Sequence, residues 1–259
     1  MHQRVGESVA GVLFPRRCAG CGLGPWPFCD ACKGEIRPLG PPWCERCGHP
    51  ARESVAACAN CPGSPLAGAR APFAYSGPIR AAVRRLKFSG WRDVAPALAR
   101  AVVTMDLPPV DVVTWVPLAR RRRAERGYDQ ARALARAIAR ELDLPARQLC
   151  RRTVSTSPQA RRTIDERHVA MQGVFAPRGG VPDRVLLVDD VLTTGATLGA
   201  CADALTAGGA TFVYAVVAAR SVRRLPHRGG PPALHASSGR AYPRSGPRPG
   251  LWLPGDPPR

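Results

Sequence analysis

The chain has 259 residues and a formal net charge of +19 at pH 7, from 38 lysines and arginines against 19 aspartates and glutamates. No apolar run reaches the roughly 18 residues that a membrane span requires, and Glu7 lies where a signal peptide would be apolar, so we expect a cytosolic protein without a membrane span. The charge suits a nucleic-acid partner. A GC-biased genome accounts for it equally well, because such a genome favours arginine over lysine, and Lys33 and Lys87 are the only lysines.

The first 66 residues differ in composition from the rest of the chain. Residues 1–17 predict a short amphipathic helix that stops at Pro15. Eight of the ten cysteines then fall between Cys18 and Cys61, among glycines and prolines and without hydrophobic periodicity. Such a segment needs a metal in order to fold, and in a reducing cytosol paired cysteines are more often metal ligands than disulfides. We therefore expect residues 1–66 to form a helix and a metal-binding module.

The eight cysteines form four Cys-x-x-Cys pairs: Cys18/Cys21, Cys29/Cys32, Cys44/Cys47 and Cys58/Cys61. Two such pairs complete a closed tetrahedral four-cysteine site, which structural zinc prefers, so the spacing predicts a double zinc ribbon with two structural Zn2+ ions. Sequential and interleaved pairing of the four motifs both fit the spacing. Redox-active dithiols are the functional alternative, but no thioredoxin-like unit surrounds the motifs.

Residues 72–220 alternate strands and helices in the manner of a parallel α/β domain. The pattern predicts strands at 73–75, 110–116, 185–188 and 211–218, and helices at 79–88, 95–103, 129–142 and 196–207. Residues 151–167 are polar and weakly periodic, which predicts a loop. Residues 221–259 are rich in proline, glycine and arginine and predict a disordered tail.

The segment VLLVDDVLTTGATL, residues 185–198, carries the strongest chemical signal. A buried strand brings Asp189 and Asp190 to its carboxyl end, where ligands bind in open α/β sheets. The turn that follows is Thr193, Thr194, Gly195, Ala196 and Thr197. Its N–H groups, hydroxyls and helix dipole suit a phosphate, while two carboxylates suit the hydroxyls of a vicinal diol. Phosphate and diol together indicate ribose 5-phosphate.

A simple helix cap, a P-loop and a dinucleotide-binding loop fit this segment less well. An acidic pair that only caps a helix does not account for two adjacent acids after four apolar residues. No Gly-x-x-x-x-Gly-Lys sequence of a P-loop occurs, and Gly195 stands alone where a dinucleotide-binding loop needs several glycines. The segment resembles the signature of type I phosphoribosyltransferases, which bind phosphoribosyl pyrophosphate with Mg2+. The resemblance implies a parallel-sheet fold of that type over residues 72–220, in which Asp189 and Asp190 hold the ribose hydroxyls and residues 193–197 hold the 5-phosphate.

Four phrases of the sequence resemble the ComF competence-protein family of bacteria: LKFSGW (86–91), VPLARRRRAERGYDQA (116–131), TSPQARRTIDERHVAMQGVF (156–175) and the 185–198 segment. The resemblance implies a pyrophosphate loop with Pro117, Leu118, Arg120 and Arg126, and a phosphate contact at Lys87. A solvated basic loop or a surface lysine explains these residues as well. Single-stranded DNA and DNA-uptake proteins are the further partners that the resemblance implies.

Two functions of different classes fit these signals. In the first, a phosphoribosyltransferase lets an acceptor nitrogen attack the anomeric carbon as pyrophosphate leaves, with arginines and metal stabilising the departing charge. In the second, a non-catalytic factor binds single-stranded DNA with its zinc ribbon and basic surface. No side chain is assigned as general acid or base, because Glu166 is equally an ion-pair partner of neighbouring arginines. Ala170 also departs from the asparagine that is usual in the family.

Overall fold

The computed structural model describes residues 16–58, 61, 65–153 and 173–222. The helix expected before Pro15, most of the loop expected at 151–167 and the tail beyond residue 222 lie outside these described residues. Within the described ranges, no helix is both long and apolar enough to cross a bilayer.

The residues after the cysteine module fold around a parallel sheet. The strands are β1 (Leu66–Arg70), β2 (Phe73–Ala74), β3 (Val112–Trp115), β4 (Cys150–Arg152), β5 (Phe175–Pro177), β6 (Arg184–Leu192) and β7 (Phe212–Arg220). The sheet has the order β1-β7-β6-β3, β2 also pairs with β7, and all of these pairings are parallel. The apolar run of residues 185–188 is fully buried, as expected of a central strand covered on both faces.

Helices cover both faces of this sheet. The described helices are α1 (Asp30–Glu35), α2 (Gly77–Phe88), α3 (Val94–Val103), α4 (Arg120–Arg126), α5 (Gln130–Glu141) and α6 (Ala196–Ala207). Helices α2, α3 and α5 pack on one face, while α6 and the antiparallel β4–β5 pair pack on the other. The predicted α/β class with a mostly parallel sheet is therefore confirmed.

The structure differs from the sequence-based expectations at several places, which include the strands β1 and β5 that were not predicted. Strand β6 continues past residue 188 to Leu192, so Asp189 and Asp190 lie inside the strand and not beyond its end, because β7 continues to pair alongside them. Arg120 and Arg126, which were expected in a loop, lie on the helix α4, which ends where Gly127 adopts φ 71°. The expected loop at 151–167 begins within β4.

Candidate functional site

The eight cysteines of the paired motifs gather into two groups. One contains Cys18, Cys21, Cys29 and Cys32, and the other contains Cys44, Cys47, Cys58 and Cys61. In each group the four Sγ atoms lie within 4.8 Å of one another. The motifs therefore pair sequentially, and the interleaved alternative is wrong.

The sulfur geometry fits zinc. A tetrahedral ion with Zn–S bonds of about 2.3 Å holds its sulfurs roughly 3.8 Å apart. The Sγ atoms of Cys21 and Cys29 are 3.7 Å apart, and those of Cys58 and Cys61 are 3.8 Å apart. Hydrogen bonds from backbone N–H groups, those of Gly24 and Leu23, lower the pKa of Cys21 to about 6. A lowered pKa favours the thiolate, which is the form that binds metal, whereas burial raises the pKa of Cys32 and Cys47.

Each zinc group is held on the α/β domain by an arginine of that domain. Arg85 of α2 donates to the carbonyl oxygens of Ala19 and Gly20 in the first group. Arg220, the last residue of β7, donates to the carbonyl oxygen of Cys47 in the second group, and its Nη2 lies 3.6 Å from the Cys47 Sγ. The cysteine module is thus packed against the sheet and its helices.

Asp190 is buried inside a polar network that joins three elements. Its Oδ1 lies 2.6 Å from Nζ of Lys87 on α2, and its Oδ2 accepts a hydrogen bond of 2.9 Å from Nε2 of Gln130 on α5. The structure therefore brings Lys87 to the acidic pair, where the ammonium contacts a carboxylate.

Asp189 projects toward the opposite side of the strand, because successive side chains of β6 alternate between its faces. Its Oδ1 accepts the N–H of Asp190 at 2.8 Å. Burial, and next the charge of Asp190, raise the pKa of Asp189 to about 8. The two acids are adjacent in sequence but have different surroundings.

The turn after β6 leads into the N-terminus of α6. Gly195 is the N-cap residue with φ 83°, a left-handed conformation that glycine adopts without strain, and it has no side chain to cap the helix. Thr194 Oγ1 accepts a weak bond of 3.4 Å from the N–H of Ala196. Thr193 is exposed, and Thr197 is half-buried in the first turn of the helix. This strand–turn–helix arrangement presents N–H groups and hydroxyls at one sheet edge.

The residues expected in the pyrophosphate loop divide into two groups. Pro117 is buried, and the N–H of Leu118 donates to Asp129 Oδ2 at 3.3 Å. This part of the loop is therefore held in place by Asp129 at the start of α5. Arg120 is exposed at the start of α4, and the Arg126 guanidinium lies 4.7 Å from the ring centre of Phe88. Both arginines therefore lie on α4, and among the described residues neither forms an ion pair with the acidic pair.

Two residues of the site had no role in the sequence analysis. Gln130 is 5% exposed, and its Oε1 is buried without a hydrogen-bond partner among the described residues, as is the hydroxyl of Tyr128. Burial raises the pKa of Tyr128, and the charge of Asp190 acts in the same direction. The only sequence signal was their position in the RGYDQ phrase at a helix start.

Comparisons with known proteins agree with the two-part organisation. A family model described as the double zinc ribbon domain matches residues 9–62. The DNA utilization protein YhgH of Escherichia coli K12 is 30% identical over 203 residues, which cover 74% of this chain and 89% of that protein. Competence protein F of Haemophilus influenzae is 28% identical over 186 residues, 66% of this chain and 80% of that protein. Competence protein ComFC of Bacillus subtilis is 26% identical over 185 residues, 66% of this chain and 74% of that protein.

Solved structures give weaker matches to half of the chain. The glutamine phosphoribosylpyrophosphate amidotransferase of B. subtilis matches with a TM-score of 0.38 and 19% identity over 52% of this chain, which spans 30% of the amidotransferase. The protein TT1426 of Thermus thermophilus matches with a TM-score of 0.29 and 18% identity, over 52% of this chain and 85% of that one. From the sequence relatives and the ribbon match, this chain belongs to the ComF competence-protein family, which includes YhgH, with an N-terminal double zinc ribbon.

Proposed function

We propose that this protein binds phosphoribosyl pyrophosphate together with Mg2+ at the carboxyl edge of its parallel sheet, and that it acts in competence and DNA uptake. The observation that carries the proposal is the sequence of an acidic pair, a Thr/Gly turn and the N-terminus of a 12-residue helix on one continuous strand–turn–helix unit. Carboxylates accept hydrogen bonds from sugar hydroxyls, and a helix N-terminus binds phosphate. The cytosol is the proposed compartment.

Each residue has a role in this proposal. Asp189 and Asp190 hold the ribose hydroxyls. The 5-phosphate is held by Thr193, Thr194, Gly195, Ala196 and Thr197. Pro117 and Leu118 shape the pyrophosphate loop, and the arginines of α4, Arg120 and Arg126, supply its positive charge.

Lys87 links the sugar and phosphate parts of the proposed site. Its ammonium group has three N–H donors, of which one suffices for Asp190. The remaining donors are free to contact a phosphate oxygen while the carboxylate accepts from a ribose hydroxyl. Lys87 is thus expected to contribute to affinity both by orienting Asp190 and by its own charge.

Pentosyl transfer is the enzymatic form of this proposal. An acceptor nitrogen forms a bond to the anomeric carbon, the bond from that carbon to pyrophosphate breaks, and the leaving group carries away the electron pair. Bound Mg2+ supplies charge neutralisation on the pyrophosphate. In this proposal the arginines of α4 contact the pyrophosphate and stabilise its departure.

Calorimetric titration of the full chain with phosphoribosyl pyrophosphate and Mg2+ tests the proposal. We expect one ligand to bind per chain, and we expect ribose 5-phosphate and pyrophosphate, titrated separately, to bind more weakly because each fills part of the site. Absence of binding by phosphoribosyl pyrophosphate would contradict the proposal. Product formation with added nucleobases then distinguishes an enzyme from a binding protein.

A second candidate is a non-catalytic factor that binds single-stranded DNA. It is favoured by Phe88, whose side chain is 62% exposed and lies beneath the guanidinium groups of Arg84, at 5.8 Å, and Arg126, at 4.7 Å. An exposed aromatic ring beside arginines can stack a base on a free face while the cations contact phosphates. Such binding weakens steeply with salt, so equal affinity for an oligonucleotide at low and moderate salt would exclude it.

A further inference from the structure

Arg220 is a buried cation with an unusual partner. It is 4% exposed, and the ion pairs with carboxylates found among the described residues do not include it. Its Nη1 donates to the Cys47 carbonyl oxygen, its Nη2 lies 3.6 Å from the Cys47 Sγ, and its Nε is buried without a hydrogen-bond partner in the described part of the chain. A guanidinium stays charged in proteins, and burial without a negative partner is costly.

The second zinc group supplies that negative partner. Four thiolates around one divalent zinc leave the site with an overall negative charge. Cys47 belongs to this group and is itself buried, so the attraction between its sulfur and the Arg220 guanidinium is weakly screened. Arg220 therefore stands as a neighbour of the zinc ligands that stabilises the charged site, and the charged site in turn stabilises the buried arginine.

The same arginine lies next to the turn proposed to bind phosphate. Arg220 on β7 is paired in register with Leu192 on β6, and the N–H of Ser221 donates to the Leu192 carbonyl at 2.8 Å. Leu192 is the last residue of β6 before the turn. One pocket lies between the two parts and is lined by Arg46, Cys47, Leu66, Ala69, Leu192, Thr194, Gly195 and Arg220. The second zinc group and the turn thus both line a single pocket.

The wall formed by the second zinc group is fixed on the edge of the sheet. The N–H of Ala69 on β1 donates to the Arg46 carbonyl at 2.9 Å, and Arg70 on β1 forms an ion pair of 2.9 Å with Glu45. Gly48 follows with φ 66°, and a Cβ atom there would lie only 2.6 Å from the Ala69 carbonyl oxygen. This close packing leaves the segment little freedom to move apart from the turn.

We propose that Arg220 is a positioning residue that couples the second zinc group to the phosphate turn, so that zinc at Cys44, Cys47, Cys58 and Cys61 is required for tight binding of a phosphate-bearing ligand. This inference rests on the proposed function, since the ligand is the phosphate of phosphoribosyl pyrophosphate. Loss of zinc releases Cys47 from the site that holds it beside Arg220, and this wall of the pocket that also contains Thr194 and Gly195 loses its support. The first zinc group is attached through Arg85, which does not line the pocket. Its zinc stabilises the shared core but does not line the pocket, so a folded variant that lacks it is expected to keep the affinity for the ligand.

Two matched cysteine variants test the coupling. Cys58→Ser and Cys29→Ser each remove one half-buried thiolate, from the second and the first group respectively. We expect each variant to retain one zinc ion by elemental analysis. Cys58→Ser should bind phosphoribosyl pyrophosphate at least about tenfold more weakly, a change of roughly 1.4 kcal/mol, whereas Cys29→Ser should bind it like the parent. Equal affinity of parent and folded Cys58→Ser would overturn the proposal, as would an equal loss in both variants.

Arg220 itself is tested with Arg220→Met, which keeps a long side chain without charge, and with Arg85→Met as the matched control. Loss of a group next to metal ligands weakens metal binding by about 10–100-fold. Arg220→Met should therefore release one of its two zinc ions to a chelator about tenfold faster than the parent. Arg220→Lys should restore part of the zinc retention. Arg85→Met should keep the parent affinity for phosphoribosyl pyrophosphate. If the parent binds none, the proposed function fails, and zinc release then decides: parent-like release from Arg220→Met overturns the role of Arg220.

Discussion

Asp190 is oriented by protein groups before any ligand contacts it. The ammonium of Lys87 takes one carboxylate oxygen and the amide of Gln130 takes the other, so the rotamer of Asp190 is fixed from two helices. Asp189 has a different environment, in which burial beside Asp190 raises its pKa to about 8. Of two neighbouring acids, one is held in an ion pair and the other retains its proton at neutral pH. Their contributions to binding should therefore differ with pH.

The acidic pair gives the first prediction. Changing Asp189 and Asp190 together to asparagine keeps their size, removes the carboxylate that pairs with Lys87, and above about pH 8 also removes the charge of Asp189. Hydrogen bonds to charged groups contribute about 1.5–3 kcal/mol each, so affinity for phosphoribosyl pyrophosphate should fall by about two orders of magnitude or more. Calorimetry measures the loss, with the exposed Asp143→Asn as a control that should bind like the parent. Unchanged affinity in the double variant would show that the ribose lies elsewhere.

The raised pKa of Asp189 gives the second prediction, which concerns stability as a function of pH. In the folded protein this carboxyl keeps its proton up to about pH 8, whereas in the unfolded chain it loses the proton near its ordinary pKa of about 4. The unfolded state then binds fewer protons between these values, so the stability contributed by Asp189 is full at low pH and is lost as pH rises through this window. Asp189→Asn should therefore gain thermal stability relative to the parent between pH 5 and pH 9. If the melting temperatures of the two proteins changed with pH by the same amount, the raised pKa of Asp189 would be contradicted.

At the level of elements, the sequence pattern correctly predicted the helix and strand bounds that are decided by neighbouring residues. Helix α6 has the predicted bounds because Gly195 and Gly208 bracket it. Helix α4 was not predicted, and its Arg120 and Arg126 were expected in a loop, although arginine has a high helix propensity. Strand β6 extends beyond its apolar run because β7 also pairs with the segment that contains the acidic residues. The low strand propensity of aspartate does not predict this extension.

The residues of the candidate site also fall into a predicted part and a part that the sequence did not predict. Its acids and its Thr/Gly turn are adjacent in sequence and were predicted from a single segment. Gln130 lies 60 residues from Asp190, and Arg220 lies 173 residues from Cys47. Tertiary packing selects these partners, and no short motif encodes them. The network around Asp190 and the contact to the second zinc group therefore required the structure.

Gly195 supplies the prediction at this scale. Its φ of 83° is unfavourable for any residue with a Cβ atom, so Gly195→Ala should cost about 1–2 kcal/mol of unfolding free energy and weaken phosphate binding by displacing the turn. Gly34→Ala is the matched control, because Gly34 lies in helix α1 and a Cβ atom there meets nothing within 4 Å. That control should be neutral or slightly stabilising. Denaturant titration and calorimetry measure both effects, and equal behaviour of the two variants would argue against a strained, functional turn.

On the scale of the whole molecule, the cysteine module is part of the hydrophobic core as well as a neighbour of the site. Cys18, Ala19, Phe28, Cys32 and Ile36 pack in the same buried cluster as helices α2, α3 and α5. Leu39, which follows the first group, joins the cluster on the α6 side of the sheet. The module therefore covers apolar surface on both sides of the sheet, and its stability should not be separable from that of the α/β domain.

Zinc removal tests this dependence. A four-cysteine segment with little apolar surface of its own loses its fold without metal, and the apolar groups it covers on α2 and α3 then face water. With about two zinc ions bound per chain, we expect one cooperative thermal transition, and we expect chelation to lower its midpoint for the whole chain. Independent units would instead give two transitions, with the α/β transition unmoved by the chelator. Calorimetric scans with and without chelator, followed by addition of zinc to restore the original midpoint, distinguish the two arrangements. Because the α/β helices share one buried cluster with the first zinc group, the single shifted transition is the outcome that the packing requires.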